Sequence, residues 1–135
     1  MAETLRRAEP LWLVDSSGWI EYFTDGPNAS RFAPAIEQPK DLVVPSLSVL
    51  EVYRWMLRIH GEGPAVQAIA LMRQGTEIPL DGALALQAAQ LGLQWKLPLA
   101  DSVMLATALA HQATLLTQDA DFEGIPAVTF IPKTS

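Results

Sequence analysis

Cysteine is absent from the 135-residue chain, which removes a disulfide framework, a thiolate metal site and a thiol nucleophile at once. Histidine is scarce. His60 and His111 are the only two, too few for a His-rich metal site or for a His-dependent relay with one to spare, and both fall where helices are expected to end in solvent. No long apolar run occurs: the longest, Ala68–Met72, falls far short of the roughly 18 residues that a membrane span needs. Arg6-Arg7 is followed only by Leu11–Val14 before Asp15 interrupts, so no secretory pattern is expected either. A reduced, cytoplasmic setting without membrane contact is the expectation. Cationic charge is also in short supply, since nine Lys and Arg against fifteen Asp and Glu leave a formal charge of -6. A general electrostatic grip on nucleic acid is therefore excluded, because phosphate backbones reward cations. The exclusion fails if several acids converge in one cleft and hold a cation.

Half the residues are hydrophobic and 18% are charged, enough to bury the core of one domain. Residues 1–10 are polar without periodicity and read as a flexible N-terminal extension; residues 132–135 read as a C-terminal tail, leaving 11–131 as the domain. Leu11–Val14 is a short continuous apolar run, the pattern of a strand buried on both faces. Similar runs predict strands at Leu42–Val44, ended by Pro45, at Thr76–Leu80, at Thr114–Thr117 and at Ala127–Ile131. Helices are predicted between them: one begun by Asp15-Ser16-Ser17-Gly18, one over about 30–37, then about 46–60, 65–73, 82–95 and 100–112. Strands alternating with helices predict an α/β domain of three layers, α/β/α, around a mostly parallel sheet of about five strands. In such sheets sites form at the carboxyl ends of the strands.

Acids stand at those ends. Asp15 directly follows the first strand, and Asp119 and Asp121 follow the fourth. Glu51 lies inside the helix after the second strand, and Asp101 opens the helix that precedes the fourth. Each alone has an ordinary explanation: Asp15 as an N-cap, Asp101 as a first-turn acid favoured by the helix dipole, Asp119 and Asp121 as turn formers, Glu51 on a solvated stripe. Together they would repel one another unless paired or metal-bound. Hard oxygen ligands without His or Cys beside them point to Mg²⁺ or Mn²⁺. Arg54 and Arg58 follow Glu51 by three and seven residues, and Lys96 precedes Asp101 on a loop; these are candidate phosphate contacts or an ordinary solvated face. Trp12, Trp19, Trp55 and Trp95, with Tyr22, Phe23 and Tyr53, are expected mostly in the core.

The segments Leu-Trp-Leu-Val-Asp15-Ser-Ser-Gly-Trp-Ile, Pro-Ser-Leu-Ser-Val-Leu-Glu51-Val-Tyr, Leu-Pro-Leu-Ala-Asp101-Ser-Val-Met-Leu-Ala-Thr-Ala and Leu-Leu-Thr-Gln-Asp119-Ala-Asp121-Phe resemble those of PIN-domain proteins, and more narrowly the VapC toxins of toxin–antitoxin pairs. The resemblance implies a Mg²⁺- or Mn²⁺-dependent endoribonuclease whose acids are Asp15, Glu51, Asp101 and Asp119, with Asp121 an alternative or supporting ligand. Ser16 and Thr117 would orient the acids. Ser17 departs from the Asn common in the family two residues after the first Asp. Hydrolysis by metal-activated water leaves a 5′-phosphate and a 3′-hydroxyl, whereas attack by the RNA 2′-hydroxyl leaves a cyclic phosphate and calls for a His-type acid–base pair. The resemblance also implies a structured RNA substrate such as tRNA, a VapB-type antitoxin that sends an Arg into the acidic pocket, a homodimer, and a toxin–antitoxin hetero-oligomer. The competing reading is a catalytically silent PIN-like binding module acting only within a DNA-binding antitoxin complex.

Overall fold

The computed structural model describes residues 10–134. The expected N-terminal extension therefore lies, apart from Pro10, outside the described residues. Five strands, β1 (Leu11–Val14), β2 (Leu42–Pro45), β3 (Thr76–Ile78), β4 (Ala113–Thr117) and β5 (Val128–Phe130), form one sheet in the order β3-β2-β1-β4-β5. Every pairing is parallel. The helices are α1 (Ser16–Phe23), α2 (Ala29–Ile36), α3 (Ser46–His60), α4 (Glu62–Met72), α5 (Gly82–Trp95) and α6 (Leu99–Ala110). Short 3₁₀ turns at Pro39–Asp41 and Ala120–Phe122 lead into β2 and away from β4.

Strand alternation builds the three layers. Val14, Val44 and Leu116 point to one face, where they pack with Trp19, Phe32, Val52, Ala68 and Met72 from α1 to α4. Their neighbours Leu13, Val43 and Leu115 point to the other, onto Met104, Leu105 and Ala108 of α6. Successive apolar residues in each central strand thus serve opposite cores, which is why these runs are continuous and not alternating. Gly18 shows how closely α1 is seated: a Cβ there would lie 2.6 Å from the Phe32 ring and 2.7 Å from Val14.

Two expectations need correction. The third strand stops at Ile78, because Pro79 has no N–H to extend the ladder and the helix cap at Asp81 follows at once. Of the seven aromatic residues assigned mostly to the core, only Trp19 is fully buried. Trp12, Tyr22, Phe23, Tyr53 and Trp55 cover the core edge with part of each ring exposed, and Trp95 is exposed at the end of α5. A small domain with helices on both faces has more rim than interior for such rings. Pro45 closes β2 from within, paired with Ile78. No described helix is long and apolar enough to cross a membrane.

Candidate active site

β1 and β4 are neighbours at the centre of the sheet, with Val14 in register with Leu116. The residues just beyond them, Asp15 and Thr117, consequently meet. Asp15 is 4% exposed and caps α1. Its Oδ1 accepts from the Gly18 N–H (3.0 Å) and the Ser17 hydroxyl (2.9 Å). Its Oδ2 accepts from the Thr117 hydroxyl (2.6 Å) and, at 3.0 Å, from Ser17 again. Thr117 in turn accepts the Asp119 N–H at 2.9 Å. One buried hydroxyl thus ties the end of β1 to the turn that carries Asp119 and Asp121.

That turn is held by its own acid: Asp119 Oδ1 accepts the Asp121 N–H at 3.0 Å, and Phe122 plugs it into the core. Asp101 sits in the first turn of α6. Asp101, Asp119 and Asp121 each offer a carboxylate oxygen within 4.8 Å of the others. Burial pushes the Asp101 carboxyl up to about 7; the negative charge of Asp119, a hydrogen bond to it, and the charges of Asp15 and Asp121 add to the rise. Burial likewise raises Asp15 to about 6, against the pull of its bonds to Thr117, Gly18 and Ser17, with the charge of Asp119 adding to the rise. Among the described residues no Lys or Arg pairs with these acids; Arg73 pairs instead with Glu77, at 3.3 Å.

Glu51 enters differently. It lies on α3, and its Oε1 accepts the Ser16 hydroxyl at 2.6 Å. Asp15 and Glu51 both fall outside the group of three carboxylates within 4.8 Å. Asp15 adjoins that group through Thr117 and through its charge; Glu51 is linked to Asp15 by the adjacent residue Ser16. Arg54 and Arg58 are exposed on α3, lining an open cavity of about 660 Å³ with Leu50, Tyr53 and Leu57. Lys96 is exposed at the end of α5 in the left-handed conformation. His60 ends α3 and His111 caps α6.

The family model described as PIN domain matches residues 12–128. The chain belongs to the PIN-domain family. Several solved structures share its fold. A toxin–antitoxin complex from Klebsiella pneumoniae superposes with a TM-score of 0.74 at 27% identity, covering 87% of this chain and 95% of that one. VapC20 of Mycobacterium tuberculosis, described as a Sarcin-Ricin loop cleaving toxin, gives 0.69 at 16% identity, with 88% and 95% covered. DNA-bound VapBC from Salmonella typhimurium gives 0.71 at 13% identity, with 92% and 98% covered. No curated protein sequence matches the chain.

The pocket of this PIN domain suits a hard divalent cation. Its donors are all carboxylate oxygens, and three of them, on Asp101, Asp119 and Asp121, lie within 4.8 Å of one another. Sequence reasoning missed two features. Ser17, noted only as a departure from the family pattern, donates to both Asp15 oxygens. Gln118, buried between Thr117 and Asp119, hydrogen-bonds to Asn28 and Glu21, a contact between segments about ninety residues apart that no local spacing announces.

Proposed function

We propose that this PIN domain is the toxin of a type II toxin–antitoxin pair, a Mg²⁺- or Mn²⁺-dependent endoribonuclease that hydrolyses RNA phosphodiester bonds. The observation that carries the reading is the convergence of Asp101, Asp119 and Asp121 within 4.8 Å beside the buried Asp15, with no Lys or Arg paired to them among the described residues. The likeness to VapC toxins and VapBC complexes supports it.

Asp101, Asp119 and Asp121 are the residues that would hold the ion, with Asp15 and Glu51 completing the acidic wall. A bound Mg²⁺ or Mn²⁺ supplies Lewis-acid chemistry, acidifying water and offsetting charge at the scissile phosphate. Asp15, fixed by three protein donors, is a rigid wall of the pocket, and Ser16 holds Glu51 in place. Burial and the neighbouring acids hold the Asp101 carboxyl up at about 7, which limits the repulsion within the group. Arg54, Arg58 and Lys96 are exposed and would meet RNA phosphates, and so modest a basic complement suits a small structured RNA such as tRNA. Leu86, Leu93 and Leu99 are 73%, 85% and 84% exposed, apolar side chains that a VapB-type antitoxin, a second copy, or both would cover.

The test is Asp101→Asn in the purified protein, assayed for Mn²⁺ binding and for metal-dependent RNA cleavage. Loss of both with retained fold and antitoxin binding is the expected result. Cleavage by the variant at the wild-type rate would remove Asp101 from the site, and a wild-type protein that cuts no RNA with either metal would return the chain to the reading of a binding module.

A further inference from the structure

Strand alternation places Thr117 and Asp119 on the side of the acidic pocket and Gln118 on the opposite side, toward the turn between α1 and α2. There Gln118 Oε1 accepts from Asn28 Nδ2 at 3.0 Å, and its Nε2 donates to Glu21 Oε1 at 3.3 Å. The other Glu21 oxygen accepts the Asn28 backbone N–H at 2.7 Å, which closes a ring of three residues. The second Nδ2 hydrogen of Asn28 reaches the Pro132 carbonyl at 3.1 Å, so the expected C-terminal tail is tied down at its first residue. Asn28 is 3% and Gln118 7% exposed.

This is an expensive way to fill space. Burying amides is unfavourable unless their hydrogen bonds are made, and ordering a Gln side chain costs roughly 1.5–2 kcal/mol in rotamer freedom. Packing alone calls for an apolar residue at a buried position next to a strand end. Gly26 points the same way: a Cβ there would lie 2.5 Å from the Glu21 carboxylate, so this glycine leaves the acceptor its seat. The ring backs one peptide unit, the one that delivers Asp119.

We propose that Glu21, Asn28 and Gln118 form a brace that positions Asp119 against Asp101, with Gln118 as the positioning residue through which it acts. Its effect on turnover rests on the nuclease reading above; its effect on metal binding does not. Partners standing behind metal ligands typically set affinity by 10–100-fold, and small displacements of aligned groups cost comparable factors in rate.

Gln118→Met keeps the length of the side chain and removes both bonds. Glu21→Gln is gentler, leaving one acceptor oxygen to serve two donors, and provides a folded variant if Gln118→Met unfolds. Met72→Ala, in the buried face of α4, provides a loss of stability remote from the pocket. Each is compared with wild type well below its melting temperature, by Mn²⁺ calorimetry and by separate kcat and KM on RNA. Gln118→Met is expected to weaken Mn²⁺ binding and lower kcat by tenfold or more, with KM nearly unchanged. Glu21→Gln should fall between it and wild type, and Met72→Ala should match wild type in both. Wild-type Mn²⁺ affinity in the two brace variants, or an equal loss in Met72→Ala, would overturn the brace. Should the wild type bind Mn²⁺ yet cut no RNA, the nuclease reading fails while the calorimetry still judges the brace.

Discussion

The Thr117 hydroxyl donates to Asp15 Oδ2 at 2.6 Å across 102 residues of sequence, joining the ends of the two central strands. Thr117 Oγ1 also accepts the Asp119 N–H, so one side chain sets the spacing of two acids. Thr117→Val keeps the shape and removes the hydroxyl, leaving a buried carboxylate oxygen and a backbone N–H each short of a partner. A loss of about 1–3 kcal/mol is expected in denaturant unfolding. The Asp15 carboxyl, deprived of its strongest lowering contact, should titrate higher by NMR. Thr117→Ser should restore most of both.

Asp15 and Asp101 are raised to about 6 and about 7 from an ordinary carboxyl value of 3.8, so the metal-free folded state binds more protons than the unfolded chain between these limits. Their contribution to stability is complete below about pH 4 and is lost as the pH climbs through 6 to 7. In chelator, the melting temperature should fall over that interval, and Asp101→Asn should flatten the decline. Mn²⁺ should reverse it, binding more tightly as the pH rises from 5 to 8 and releasing protons. A melting temperature in chelator that rises steadily from pH 4 to 7 would contradict the placement of these carboxyls.

Ser16 holds Glu51 at 2.6 Å from a partly buried position on α1. Removing the hydroxyl in Ser16→Ala should leave the fold intact while weakening Mn²⁺ binding or RNA cleavage by roughly tenfold, the usual cost of losing a supporting bond. Ser16→Thr keeps the donor and should behave as wild type. Calorimetry and cleavage rates on the same preparations decide it.

Gly18→Ala would push a methyl group against Phe32 and Val14, and overpacking of this kind costs about 1–3 kcal/mol. Because Gly18 also donates to Asp15, the shift should be transmitted to the cap of α1. Gly82→Ala meets nothing within 4 Å and should be neutral or stabilising, by up to about 1 kcal/mol. Thermal unfolding of the pair separates a packing constraint from a general effect of losing glycine.

The sheet was legible in the sequence because each central strand is a short, largely apolar run, and such runs suit strands covered on both faces. The acids were legible as positions, since Asp15 follows a predicted strand directly and Asp119 follows one by two residues. Their grouping was not. By local pattern Asp121 reads as a turn former, and the resemblance made it no more than an alternative or supporting ligand, yet it lies within 4.8 Å of Asp101 and Asp119, while Glu51 stands outside that group and is held by Ser16. Which side chain meets which depends on strand order, and that order is set by the total burial of two cores and by no local pattern. Gln118 illustrates the limit: beside Asp119 it reads as one more polar turn residue, and its partners Asn28 and Glu21 appear only when β5 and the α1–α2 turn close around it. Trp55 and Trp95 mark the same limit, since hydrophobicity says that a ring prefers burial but not whether interior space remains.

The most direct test of the central claim maps the ends of RNA cut by the purified protein, with Mg²⁺ or Mn²⁺ and with chelator. The account predicts 5′-phosphate and 3′-hydroxyl ends that appear only with metal and vanish in Asp101→Asn. Cleavage that persists in chelator and leaves cyclic phosphate ends would contradict it.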